Sequence, residues 1–171
     1  AFARAYQERA AGKALPDDTV AALAASITGA TLDRRARAIA LSDWVRKNVR
    51  YVGVYLGPGG VVPHAASSVL ANRYGDCKDH ATLLEALLAS SGIDSTVALV
   101  NNGDAYRLPD VPTLGVLNHA IVYIPSLQLY LDPTAESVAG GFLPASLLGK
   151  PAVLARSGEF AMIPFFQQAR S

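Results

Sequence analysis

The sequence predicts a chain that is helical in its first half and sheet-forming in its second, on three observations. Capped runs with apolar residues at helical spacing occupy the stretch from about Asp17 to Leu88. From Ile93 onward the apolar runs become short, β-branched and alternating, with turn residues between them. Gly92, a helix stop, sits where one pattern gives way to the other.

In chain order, Asp17, Asp18 and Thr19 offer caps to a helix that carries Val20, Leu23 and Ile27 and ends at Gly29. A second helix runs from about Asp33 to Asn48 with Leu41, Trp44 and Val45 on one face, where an aromatic is a core residue before it is part of a groove. Tyr51, Val52, Val54 and Tyr55 predict a short strand over residues 49 to 56, which Gly57-Pro58-Gly59-Gly60 terminates. That cluster lacks the spacing of a phosphate-binding loop, and Pro58 removes an N–H such a cradle uses, so it reads as a plain loop. A helix from Pro63 to Asn72 follows, and then the helix that Cys77 opens.

Ile93 to Val100 reads as a strand closed by the turn Asn101-Asn102-Gly103. Leu108 to Gly115 crosses to a strand over Leu117 to Ile124, and Leu127 to Asp132 returns beside it antiparallel. Ala152 to Ala155 and Phe160 to Ile163 add edge strands, with breaks at Pro144, Pro151 and Pro164. There is neither an internal repeat nor a low-complexity tail.

At 171 residues the expectation is one domain over 1–171 with a full hydrophobic core. Fifteen basic residues against 14 acidic ones, scattered along the chain, leave a charge of +1 and no electrostatic footprint for nucleic acid. A 51% hydrophobic share argues for an ordered, soluble chain, and no apolar run reaches the length of a membrane span. The single cysteine cannot form an internal disulfide and says nothing about redox compartment. The chain begins at Ala1 without methionine, so a processed protein or a piece of a larger parent is expected.

That cysteine, Cys77, stands in Tyr74-Gly75-Asp76-Cys77-Lys78-Asp79-His80, where loop residues give way to Leu83, Leu84, Leu87 and Leu88. Asp76 is a good N-cap and Asp79 sits where the acid of a capping box sits, so the thiol lies at a helix start. The positive end of the helix dipole there favours thiolate, the form that attacks carbonyl carbon. A free cysteine also serves as a small apolar filler, and both readings stand on these residues alone.

The strands after it supply partners. If the turn is centred between Pro125 and Ser126, Ile124 opposes Leu127 and His119 opposes Asp132, with Cβ atoms about 5 Å apart on one face. Pro125 cannot adopt the positive φ of tight hairpin turns, so a four-residue loop with Pro125 second is expected, and that loop keeps the pairing. An imidazole oriented by a carboxylate has one nitrogen fixed as donor and the other free to take a proton. Cys77, His119 and Asp132 thus offer nucleophile, general base and acid, and orienting group, with the Cys77 N–H as one oxyanion donor. The plain alternatives are a core histidine and an Asp-Pro turn at Asp132-Pro133-Thr134.

The order Cys, His, Asp, in the words Arg73-Tyr74-Gly75-Asp76-Cys77-Lys78-Asp79-His80-Ala81-Thr82-Leu83-Leu84, Gly92-Ile93, Asn118-His119-Ala120 and Leu131-Asp132-Pro133-Thr134, resembles the transglutaminase-like superfamily of papain-type folds, bacterial type. The resemblance covers roughly residues 30 to 140. It implies an α+β fold, with a helical part carrying Cys77 packed on an antiparallel sheet carrying His119 and Asp132. It implies a Cys77 thioester formed at an amide or peptide carbonyl and resolved by water or amine: a cysteine peptidase, amidase or transglutaminase with a peptide or protein amide as substrate and no cofactor. A second oxyanion donor is then expected on the strand before the Gly57-Pro58 loop, where Tyr51, or Tyr55, stands in for the tryptophan of many relatives. An extracytoplasmic (periplasmic) location is also implied.

Two other classes remain open. Cys77 and His80, three apart on one helix, with His119 and Asp132, offer a zinc-compatible ligand set of no common spacing. A non-catalytic interaction module would keep the fold without the chemistry.

Overall fold

Helices form where caps and apolar spacing coincide, and the computed structural model of the chain describes residues 2–31, 33–53, 62–103, 117–135, 138 and 140–166. The first helix, α1 (Phe2–Ala10), was not expected; its Tyr6 is 2% exposed and joins the main core. Asp17 and Asp33 accept the N–H groups of Val20 and Ala36, each at 2.8 Å, and so open α2 (Asp18–Thr28) and α3 (Arg34–Asn48) as predicted. Gly29 ends α2 at φ 52°. Of the strand expected over residues 49 to 56, the described residues form β1 (Arg50–Tyr51), and the part beyond Gly53 with the glycine cluster lies outside the described residues. α4 (Ala66–Asn72) starts three residues after Pro63, and the backbone N–H of Ala66 is taken by Lys13 O at 2.8 Å.

β2 (Tyr74–Gly75), a further unpredicted element, pairs in parallel with β1, Arg50 opposite Tyr74 and Tyr51 opposite Gly75. It leads directly into α5 (Cys77–Ser90). Ala81, Leu83, Leu84, Ala86, Leu87 and Leu88 are all fully buried, as befits a helix with neighbours on every side. α2, α3 and α4 pack around one flank of α5, and the sheet closes the other.

The sheet is antiparallel in the order β5-β4-β3-β6-β7, built from β3 (Thr96–Val100), β4 (His119–Ile124), β5 (Leu129–Leu131), β6 (Pro151–Leu154) and β7 (Phe160–Met162). β3 is buried throughout because both its faces are covered. Val97 and Leu99 face the helices, while Ala98 and Val100 face a second apolar cluster with Leu143, Leu147, Leu154 and Ile163. β6, expected at an edge, lies inside the sheet, with Pro151 as its first residue, where a missing N–H is tolerated. Lys150, just before it, is fully buried and donates from Nζ to the carbonyls of Asn101 and Gly103, fixing the chain as it leaves β3. Helical layer against antiparallel sheet makes the fold α+β. Among the described residues no helix is long and apolar enough to cross a membrane.

Candidate active site

Cys77 is the first residue of α5 and is 8% exposed. The cap around it is the expected capping box. Asp76 Oδ1 accepts the N–H groups of Lys78 (3.0 Å) and Asp79 (3.1 Å), and Asp79 Oδ2 accepts the N–H of Asp76 (3.1 Å). The box engages the second and third N–H groups of the helix and leaves that of Cys77 outside it. Asp79 Oδ1 also accepts from His64 N (2.8 Å) and His64 Nδ1 (3.0 Å), tying the segment ahead of α4 to the first turn of α5. A lone histidine before a helix carries no signal for that role. Gly75 is required beside this turn, because a Cβ there would stand 2.5 Å from Asp79 Cβ and 2.8 Å from its Oδ2.

His119 opens β4, opposite Val100 of β3, and Asp132 directly follows β5. Their side chains meet, with His119 Nε2 2.8 Å from Asp132 Oδ2. The register that brings them together differs from the expected one. Pro125–Leu127 forms a 3-10 turn and Gln128 is left-handed at φ 48°, so the four-residue loop has Pro125 first rather than second. Ile124 therefore opposes Leu129 and Val122 opposes Leu131, two residues further along than predicted. A shift of two preserves which face each side chain takes, so Asp132 reaches His119 diagonally instead of from directly opposite.

Burial disfavours charge on His119, but hydrogen bonds to and charges on Asp132 and Cys77 outweigh it and push the imidazole up to about 10. Burial raises Asp132, but the His119 and Thr134 hydrogen bonds and the imidazolium charge overcome it and hold the carboxyl below its ordinary value. An ionised carboxylate only accepts, so Nε2 carries the proton shared with it. Nδ1 is the nitrogen left for the Cys77 thiol, which lies close enough to raise the imidazole. The structure thus brings Cys77, His119 and Asp132 into one continuous chain of contacts across the seam between helix and sheet.

Tyr51 lies on β1 opposite Gly75, is 40% exposed, and sets its ring 6.0 Å from that of His80, one turn into α5. Tyr55 lies outside the described residues. Trp44 is half-buried against the core, with the Arg73 guanidinium 4.8 Å over its ring. His80 does not join Cys77 as a ligand pair would need: its ring nitrogens lie 2.7 Å from Asp76 O and 2.9 Å from Val49 O. No group of three His, Cys, Asp or Glu among the described residues is placed to hold a metal ion.

Residues 21–124 match the sequence model of the transglutaminase-like superfamily. The chain belongs to that superfamily. Within this member the matched segment carries Cys77 and His119 and stops short of Asp132. No curated protein sequence matches the chain. Among solved structures, the fold is similar to that of a putative protease from Parabacteroides distasonis, with a TM-score of 0.69 and 19% identity over 96% of this chain and 31% of that one. A putative cysteine protease from Cytophaga hutchinsonii is similar with a TM-score of 0.50 and 22% identity, over 72% of this chain and 41% of that one. The transglutaminase-like chain thus spans about a third of the first protein and two fifths of the second. These likenesses agree on the fold.

Proposed function

We propose that the protein is a cysteine-nucleophile enzyme that cleaves or transfers at an amide or peptide carbonyl through a thioester on Cys77. The observation that carries this is the His119 imidazole, held by the Asp132 carboxylate at 2.8 Å and lying close enough to the Cys77 thiol to be raised by it. With its proton already held on His119 Nδ1, Cys77 Sγ attacks the carbonyl carbon. The C–N bond then breaks with that proton delivered to the departing amine. Water, or a second amine, adds to the thioester and releases Cys77. Asp132 keeps the ring oriented and offsets the charge of the imidazolium.

The developing oxyanion needs donors aimed at it. The Cys77 N–H, left outside the capping box at the positive end of α5, is one. Tyr51 is the proposed second, supported by its place on the strand paired beside Gly75 and by its exposure next to the first turn of α5. The likeness to a putative protease and a putative cysteine protease favours peptide or protein substrates.

Two measurements test the proposal. Cys77 is expected to alkylate at neutral pH faster than a free cysteine and to lose that advantage in His119→Ala. Mass spectrometry after incubation with peptide and amide libraries is expected to find an acyl group on Cys77. A thiol no faster than free cysteine, with His119→Ala unchanged, sinks the activated-nucleophile reading.

A further inference from the structure

We infer that Thr134 is a positioning residue for this chemistry, acting through Asp132 by fixing which carboxylate oxygen faces His119 and by holding the group ionised. The inference rests on the Cys77, His119, Asp132 reading above. An aspartate at the end of a strand turns about two side-chain bonds, and only a narrow range of orientations keeps Oδ2 at 2.8 Å from His119 Nε2. Oδ1 is held by one residue twice over: the backbone N–H of Thr134 donates at 3.0 Å and its Oγ1–H at 2.7 Å. Pro133, with its fixed φ, sets the two-residue span that lets both donors converge. With Oδ1 pinned, the remaining oxygen can face only the imidazole. The Asp132-Pro133-Thr134 turn, which alone reads as a chain reversal, thereby becomes part of the site.

The two donors are separable. Any residue but proline at position 134 keeps the N–H, while the hydroxyl is lost in Thr134→Val, which preserves shape, and in Thr134→Ala, which removes bulk as well. Thr134 is half-buried at the chain turn, so neither change opens the core. Losing a donor to the ionised form favours the neutral acid, so Asp132 takes up its proton at higher pH and releases the ring sooner as the solution is acidified.

The test is the rate of Cys77 alkylation by iodoacetamide as a function of pH, on the intact chain, in the parent, Thr134→Val, Thr134→Ala, Thr134→Ser and His119→Ala. Both hydroxyl-free variants are expected to lose about tenfold in rate at neutral pH and to move the acid limb of the profile up by about one unit, while Thr134→Ser restores both. An acid limb that stays in place in Thr134→Val and Thr134→Ala, or moves as far in Thr134→Ser, overturns the inference. His119→Ala separates the two levels. If it leaves the profile of the parent intact, the triad reading itself has failed; if it alters the profile while the threonine variants do not, only the role of Thr134 is lost.

Discussion

Glu85 lies on α5 two turns beyond Cys77, and its ionisation works against the fold. Its side chain is 11% exposed, and it faces the guanidinium of Arg156, 3.7 Å away with a side chain 52% exposed. Burial pushes the carboxyl from 4.5 up to about 7, against the opposing pull of the arginine. The folded value lies above the unfolded one, so the folded chain holds the proton more tightly. Stability from this group is full below pH 4.5 and is lost as pH rises through about 7. At about 1.36 kcal/mol per unit, the shift amounts to roughly 3 kcal/mol lost between pH 4 and pH 8. Glu85→Gln keeps the shape and removes the charge, and the exposed Arg156 loses little by it. Urea unfolding is therefore expected to find the variant within about 0.5 kcal/mol of the parent at pH 4 and about 3 kcal/mol more stable at pH 8. A difference equal at the two pH values refutes the reasoning by showing that the arginine balances desolvation, and a less stable variant at pH 8 by showing that it more than repays it.

Gly75→Ala drives a Cβ to within 2.5 Å of Asp79 and forces that carboxylate off the N–H groups of Asp76 and His64, so a loss of about 3 kcal/mol is expected from overpacking and uncapping together. An unfolding midpoint matching the parent's would show that the first turn of α5 has slack that the geometry denies. The His119 and Asp132 pair has a pH window of its own. His119, held up to about 10, contributes in full below 6.5 and loses its contribution as pH rises through 10; Asp132, held below 3.8, contributes in full above that value and loses its share in acid. The stability gap between the parent and Asp132→Asn should accordingly be widest near pH 5 to 6 and close steadily toward pH 10, and a gap that stays flat across that range contradicts the assigned charges.

The parts of the site that follow from nearest neighbours were legible in the chain. Asp76 and Asp79 announce a capping box by spacing alone, and the structure places Cys77 as the first residue of the helix they cap. Alternation over His119 to Ile124 and Leu129 to Leu131 announced the strands and, because faces repeat every two residues, the shared side of His119 and Asp132. The register itself was not legible. Pro125 occupies the first loop position and Gln128 accepts a left-handed conformation, a choice among turns of equal length that the strands decide. Also hidden were the contacts that cross the chain: His64 to Asp79, β1 to β2, and the burial of Lys150 on two carbonyls, each a product of packing rather than pattern. α1 was likewise not read from the chain; among its described side chains Ala3 and Tyr6 are buried in the core, with Ala10 packed against it.

Because Cys77 comes from the helical layer and His119 and Asp132 from the sheet, no single element of this chain holds two of the three groups. While the chain is being made, the thiol emerges about forty residues ahead of the histidine that faces it. On the proposed mechanism the thiol gains its histidine only when the sheet closes on α5. Under that mechanism, the seam ties reactivity to molecules that have finished folding.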